Sequence, residues 1–195
     1  DTQGRLSILK IHTQGKPLAD DVDLQAIARE SFGFSGAHLE SLANEAAICA
    51  LRAGKNQIEM ADFREAIDKV IMGEKLDRRP SEQERKRIAY HELGHAIAAE
   101  LAERGSVAVV TITSRGQALG YTRQAPPPDR YLYTAKALRG QIRVCLAGSA
   151  AEELLLGEGS TGSGGDYQRA LELAKKMVKA GLSPLGIVSL KDLPT

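Results

Sequence analysis

Along the first 73 residues, apolar positions recur every three or four residues, which is the period of a helix that buries one face. This pattern predicts four short helices. Asp23 caps the second, the third spans about residues 37–53, the fourth spans about residues 60–72, and a glycine ends each of the last two. We therefore expect a helical unit at the start of the chain.

The second half of the chain mixes helices with a small β-sheet. Ser81 and Glu84 have the spacing of a capping box and predict a helix that runs to about residue 102. Two strands of a hairpin, a long helix, a glycine-rich loop and a last helix are then predicted at residues 107–113, 119–124, 135–156, 157–165 and 167–180. For the helix that follows Ser81, the predicted apolar face consists of Ile88, Ala96, Ile97 and Leu101. For the last helix, it consists of Leu171, Ala174 and Val178.

A charged stretch at residues 74–82 contains Pro80 and is typical of a domain boundary. We expect a first domain at residues 1–74, a linker at 75–82 and a second domain at 83–195. The expected fold class is mainly α, of the α+β type.

Charge and composition exclude several classes of protein. The 195 residues carry 26 Lys and Arg against 25 Asp and Glu, and this balance argues against a nucleic acid as partner. The longest stretch without a charge, residues 180–190, is too short for a bilayer-spanning helix of about 20 residues, so we expect this chain alone to be soluble. Cys49 and Cys145 lie in apolar, helix-like contexts and are interpreted as buried thiols. Because residue 1 is Asp, the chain is expected to be processed, trimmed or part of a longer protein.

Residues 91–95 read HELGH, which is the H-E-x-x-H pattern of zinc peptidases. Four residues on a helix advance about 400°, so His91 and His95 lie within about 40° of each other and can bind one Zn²⁺. Glu92 is offset by about 100°, misses the metal and can act as general base. The other two histidines, His12 and His38, are expected to have surface or packing roles.

A catalytic zinc site needs three protein ligands, and a third histidine does not follow the motif. A carboxylate is therefore expected, with Glu152, Glu153 and Asp166 as the candidates. Asp166 is also interpreted as a possible N-cap of the last helix. On the residues alone, these alternatives stay open.

Residues 91–96, HELGHA, resemble the H-E-x-G-H-A motif of the FtsH-type ATP-dependent zinc proteases. Five further segments resemble signatures of that family in the same order: FGFSGA at 32–37, LANEAA at 42–47, RGQALGY at 115–121, GSAAEE at 148–153 and TGSGGD at 161–166. The resemblance implies that the first domain is a four-helix AAA-type lid. It implies that the second is a zinc metallopeptidase domain, incomplete at its C-terminal end.

The resemblance also implies the residue roles. Zn²⁺ is the expected cofactor, held by His91, His95 and Asp166, with Glu92 as the catalytic base. A strand that pairs with extended substrate is expected at Val109, Val110, Thr111 and Ile112. In the lid, Gly36 and Ala37 would border the nucleotide of an intact ATPase.

No phosphate-binding loop of the G-x-x-x-x-G-K-[ST] type is present, so ATP and Mg²⁺ are expected only in an intact parent protein. The function that the resemblance implies is part of an ATP-dependent zinc metalloendopeptidase that degrades unfolded or membrane-extracted proteins. The parent would be a homo-hexamer attached by another segment to the cytoplasmic side of a bacterial inner membrane, or to an equivalent organelle membrane. The alternative is a non-catalytic assembly or regulatory module with an empty or structural zinc site.

Overall fold

The computed structural model describes residues 1–124 and 132–187. This part of the chain forms two compact units, which are described separately below. Its elements are α1 (Thr2–Thr13), α2 (Leu24–Glu30), α3 (Gly36–Arg52), α4 (Met60–Met72), α5 (Glu82–Ala102), β1 (Val107–Thr111), β2 (Tyr121–Gln124), α6 (Ala135–Leu156), a short 3-10 helix (Thr161–Ser163) and α7 (Gly164–Lys179). The predicted mainly α fold with a small β-hairpin is confirmed. Residues 188–195 of the predicted second domain lie outside the described residues.

The first unit contains α1 to α4, and its helices begin where local capping predicts. The Asp23 carboxylate accepts hydrogen bonds from the amides of Gln25 and Ala26 at the start of α2. At the start of α3, Ser35 and His38 form a reciprocal capping box, which gives His38 a structural role.

The core of the first unit is built from aliphatic side chains and one phenylalanine. Six large side chains contributed by all four helices are completely buried: Leu9, Ile27, Leu39, Leu42, Phe63 and Ile67. Burying each contributes about 1.5–3 kcal/mol relative to leaving it exposed. The apolar periodicity of this half therefore corresponds to one continuous core.

A short segment from much later in the chain, Ser114–Ala118, belongs to this first unit. The Leu76 amide donates to the Ser114 carbonyl at 3.0 Å, and the Gly116 amide donates to the Glu74 carbonyl at 3.1 Å. Arg115 is 2% exposed, and its guanidinium donates to Glu65 at 2.6 Å. The sequence did not predict this arrangement, because it joins residues about 40 to 50 positions apart.

Glu65 is the acidic partner of two cations in this unit. Lys75 contacts its second carboxylate oxygen at 2.8 Å, while Arg115 contacts the first. Partial burial acts to raise the pKa of the Glu65 carboxyl, but the hydrogen bonds from Lys75 and Arg115 hold it below its usual range.

The second unit is built around α5 and α6. The two helices approach closely at Gly94, where an added Cβ would lie 2.4 Å from the Ala147 carbonyl oxygen and 2.8 Å from the Ala151 Cβ. A glycine on α5 faces alanines on α6, so the backbones meet without large side chains between them. This close packing fixes the position of the histidine-bearing face of α5.

The hairpin of the second unit is shorter than predicted. β1 and β2 pair antiparallel, with Val110 opposite Thr122 and Thr111 opposite Tyr121, and a bulge lies between Val107 and Val109. β1 ends at Thr111, so Ile112 lies beyond the strand. The β-branched run therefore overestimated the length of the ladder.

The predicted apolar faces of α5 and α7 are partly wrong. Ile97 and Leu101 are 60% and 84% exposed, and α5 buries Glu92, His95 and Ala99 together with the predicted Ala96. On α7, Leu171 is 56% exposed, and the buried residues are Ala170, Leu173 and Met177. The buried face of α5 carries small and polar residues because it lies close to α6 and contains the site described next.

Candidate metal centre

Two histidines of α5 and one aspartate of α7 bring their side chains together inside the second unit. The Nε2 atoms of His91 and His95 are 3.0 Å apart, and Asp166 Oδ2 lies 3.1 Å from the first and 3.4 Å from the second. Ligands of a tetrahedral Zn²⁺ at about 2.0–2.1 Å are separated by about 3.3 Å. The three atoms therefore have the spacing of zinc ligands to within about 0.3 Å, and they form a group that could hold a metal ion.

The second nitrogen of each imidazole is tied to an acceptor. His91 Nδ1 lies 2.7 Å from Glu152 Oε1, and His95 Nδ1 lies 2.7 Å from the Val144 carbonyl oxygen. A carbonyl and an ionised carboxylate can only accept, so both Nδ1 atoms carry the proton. Each Nε2 lone pair is consequently left facing the Asp166 carboxylate, which is the tautomer that binds a metal.

Glu152 and Glu153, two of the three candidate carboxylates, have different surroundings. Glu152 is 1% exposed and accepts hydrogen bonds from Arg87 at 2.7 Å and from Ser160 at 3.1 Å, besides that from His91. Burial acts to raise the pKa of the Glu152 carboxyl, but these hydrogen bonds hold it below its usual range. Glu153 is exposed. The structure therefore places Glu152 behind His91 and leaves Asp166 as the carboxylate that faces both Nε2 atoms.

Asp166 lies in the first turn of α7, and the N-cap position is Ser163. The interpretation of Asp166 as the N-cap is therefore wrong, because the helix begins at Gly164, inside the segment that was predicted as a loop. Burial acts to raise the pKa of the Asp166 carboxyl, but the two imidazoles that approach it, His91 and His95, lower it to about 2. A permanently negative carboxylate facing two imidazoles is suited to a cation.

Gly148 on α6 makes room for the two imidazoles, a role that the sequence reasoning missed. An added Cβ would lie 2.6 Å from His91 Nε2 and 2.6 Å from His95 Nε2. The space beside the nitrogen lone pairs therefore depends on this residue having no side chain. The only signal in the sequence is a glycine inside a helical pattern, which often marks a close approach.

Glu92, the predicted base, is 7% exposed on the same helix. Its Oε2 lies 2.9 Å from the hydroxyl of Thr122 on β2. Burial raises the pKa of the Glu92 carboxyl above its usual range, while the Thr122 hydrogen bond and the two imidazoles act in the opposite direction. A buried carboxylate with a raised pKa is a better proton acceptor than an exposed one.

A comparison with protein-family models matches residues 78–194 to peptidase family M41 and residues 21–65 to the AAA+ lid domain. The chain belongs to peptidase family M41. The M41 match includes both histidines of the motif, Glu92 and Asp166, and the predicted resemblance to the FtsH-type proteases is confirmed.

Curated relatives of this M41 chain are named ATP-dependent zinc metalloproteases. The chain is 49% identical over 91% of its length to FtsH 1 of Thermomicrobium roseum, of which it covers 28%. It is 48% identical over 97% of its length to FtsH of Rubrobacter xylanophilus and 45% identical over its whole length to FtsH of Ralstonia pickettii, covering 30% and 28% of them. The chain thus spans less than a third of these relatives. The predicted cofactor, Zn²⁺, is the metal in their names.

Other predicted site residues of the M41 chain lie elsewhere. Gly36 and Ala37 form the start of α3 in the first unit, with Ser35 as the cap. Val109, Val110 and Thr111 lie in β1, beside the strand that carries Thr122. Among the described helices, none combines the length and the apolar composition needed to cross a bilayer.

Proposed function

We propose that this chain is the AAA lid and the zinc-binding part of the peptidase domain of an ATP-dependent metalloendopeptidase. The observation that supports it best is the convergence of His91 Nε2, His95 Nε2 and Asp166 Oδ2, with both Nδ1 protons held by acceptors. Three protein ligands that leave a position open are typical of catalytic zinc sites, whereas structural sites have four.

The donor set fits Zn²⁺, with two imidazoles and one carboxylate as ligands. When bound, Zn²⁺ polarises the scissile carbonyl and lowers the pKa of water toward neutrality. Glu152 and Val144 keep the imidazoles oriented, and Asp166 supplies the negative charge. Glu92 accepts a proton from the attacking water at its carboxylate and later delivers it to the leaving amine, as a general base and then a general acid.

We propose that β1 positions an extended substrate. Within residues 1–124 and 132–187, β1 pairs with β2 alone, so one edge of β1 has no strand partner there. Val109, Val110 and Thr111 can offer backbone groups to a polypeptide, which reads no side-chain sequence and suits unfolded substrates. Ile112, the fourth residue of the predicted pairing strand, lies directly after β1.

The remaining assignments rest on the resemblance and on the names of the relatives. We propose residues 1–74 as the lid, 75–82 as the linker and 83–195 as peptidase, with Gly36 and Ala37 beside the nucleotide in an intact ATPase. A homo-hexamer, attached to a membrane by a segment outside these 195 residues, would deliver unfolded or membrane-extracted proteins to the zinc site.

The test is zinc content measured together with hydrolysis of casein or an unstructured peptide. We expect one Zn²⁺ per chain, hydrolysis that a chelator abolishes, and recovery when Zn²⁺ is restored. Zinc retention without any zinc-dependent hydrolysis would favour the non-catalytic module instead. Loss of hydrolysis on treatment with a serine-protease reagent, but not with a chelator, would contradict the metallopeptidase.

A further inference from the structure

Gly120 and Thr122, at the start of the second hairpin strand, lie against α5. Gly120 comes directly before β2, and Thr122 lies in β2 opposite Val110 of β1. Both positions contact Glu92. An added Cβ at Gly120 would lie 3.2 Å from Glu92 Cγ, and the Thr122 hydroxyl reaches the Glu92 carboxylate.

The Thr122 hydroxyl has one proton and two possible acceptors. Its Oγ1 lies 2.9 Å from Glu92 Oε2 and 2.9 Å from the Glu92 carbonyl oxygen. Position 92 lies inside α5, so its carbonyl accepts the amide four residues further on in the regular helical pattern. Among the described residues, Thr122 is the hydrogen-bond donor to the Glu92 carboxylate. We therefore expect the hydroxyl to donate to the carboxylate rather than to the carbonyl, because leaving a buried charge without a hydrogen bond costs more free energy.

Gly120 restricts the position of the aliphatic part of the Glu92 side chain. The space at its α-carbon is closed by Ile88 Cγ2 at 2.6 Å and by the Thr111 carbonyl oxygen at 2.8 Å from an added Cβ. Glu92 Cγ thus lies close to the backbone at Gly120, with Ile88 one turn before it on α5. The aliphatic part of the glutamate is fixed by packing and its end by a hydrogen bond.

We propose that Thr122 is a positioning residue for the general base: its hydroxyl holds Oε2 of Glu92 and leaves Oε1 to accept the proton. The catalytic part of this inference rests on the proposed function, whereas the hydrogen bond to the side chain does not. Because Thr122 is paired with Val110, the same two strands orient the base and offer the proposed substrate edge. The base is thereby held in register with the bound backbone.

The first test measures folding of the chain in the presence of a chelator, so that it is independent of zinc and of activity. Thr122→Val is compared in the wild-type background and in a Glu92→Leu background. Thr113→Val is the control for losing an exposed threonine hydrogen bond, because the Thr113 hydroxyl accepts from Thr111 at 3.0 Å and does not contact Glu92. We expect Thr122→Val to lower the folding equilibrium constant about tenfold in the wild type and less than twofold with Glu92→Leu. Equal losses in both backgrounds would assign the hydroxyl to the backbone carbonyl and overturn the inference. Thr122→Ala, which also removes the hydroxyl, serves the same cycle if the valine variant does not fold.

The second test is steady-state hydrolysis of a fluorogenic peptide by the zinc-loaded chain. Thr122→Val is expected to lower kcat about tenfold with KM and zinc content unchanged, and Thr122→Ser to restore most of it. A raised KM at unchanged kcat would refute a role in orienting the base. If the wild-type chain shows no chelator-sensitive hydrolysis, the proposed function fails, and the folding cycle still decides whether Thr122 holds the Glu92 side chain.

Discussion

The substitution Gly148→Ala adds one methyl group at the point where α6 passes both imidazoles. The new Cβ would lie 2.6 Å from His91 Nε2 and from His95 Nε2, whereas ordinary contact begins at 3.4 Å. Relieving this overlap requires the imidazoles or α6 to move by about 0.8 Å, which is the difference between those two distances. The histidines cannot yield freely, because their Nδ1 atoms are held at 2.7 Å by Glu152 and Val144.

The expected consequence is a large loss of zinc affinity. Zinc–ligand distances tolerate errors of about 0.2 Å, so a shift of about 0.8 Å is several times too large. Replacing residues that merely orient zinc ligands costs about 10–100-fold in affinity, and displacing the ligands themselves sets 100-fold as the expected minimum. That factor corresponds to about 2.7 kcal/mol of binding free energy. Helix formation is not the weak point, because alanine is favoured over glycine in a helix by about 1 kcal/mol.

The assay is competitive titration of Zn²⁺ against a chromophoric chelator, with helix content followed by circular dichroism. The matched control is Gly140→Ala on the same helix, where the added Cβ meets only the Ala102 Cβ at an ordinary 3.6 Å. The control should bind zinc as the wild type does and unfold at a slightly higher temperature. Wild-type zinc affinity in a folded Gly148→Ala variant would refute the assignment of His91 and His95 as ligands in this geometry.

Three further predictions concern single carboxylates. Glu92→Gln should retain zinc and lose peptide hydrolysis by at least about 100-fold, because an amide cannot take a proton from water; full hydrolysis would reject Glu92 as the base. Asp166→Asn should weaken zinc binding by at least about tenfold, with the exposed Glu153→Gln as control, and an unchanged chelator titration would remove Asp166 from the ligand set. The pKa of Glu65 is lowered in the folded chain by Lys75 and Arg115, so its contribution to stability is present above about pH 4.5 and is lost as the pH falls further. Glu65→Gln should therefore lose less stability than the wild type between about pH 6 and pH 3, as measured by urea unfolding, and equal losses would contradict this linkage.

Features that depend on neighbouring residues in the chain could be predicted from the sequence. Ser81 and Glu84 do cap α5 reciprocally, and the α6 bounds are those that the pattern indicates. The spacing of His91 and His95 fixes their common face through helix geometry alone, and that face is where their Nε2 atoms meet. Each of these conclusions needed only residues within a few helical turns.

Features that depend on contacts between distant segments could not be predicted. Glu152 and Asp166 lie 61 and 75 positions after His91, and periodicity does not show which of the two faces Nδ1 and which faces Nε2. The apolar face of α5 was mispredicted because hydrophobicity identifies large side chains, whereas the close packing against α6 buries small ones. On α7, the predicted stripe of Leu171, Ala174 and Val178 is displaced by one residue from the buried positions. Thr122 was missed because a hydroxyl in a strand has no sequence signal that distinguishes it from any other polar position.

The placement of Ser114–Ala118 in the first unit has a consequence for how such proteins can be cut and recombined. The match to the peptidase family begins at residue 78, but a fragment that begins there would keep Arg115 and lose Glu65, its partner at 2.6 Å. It would also lose the strand-like pairing of Leu76 and Glu74 with the same segment. A lid from one protein joined to a peptidase from another therefore carries a mismatched loop unless Ser114–Ala118 travels with the lid. Within the described residues, the first unit is built from two segments that are separated in the sequence, residues 1–77 and Ser114–Ala118. A fusion boundary placed at one point of the chain between them divides this unit.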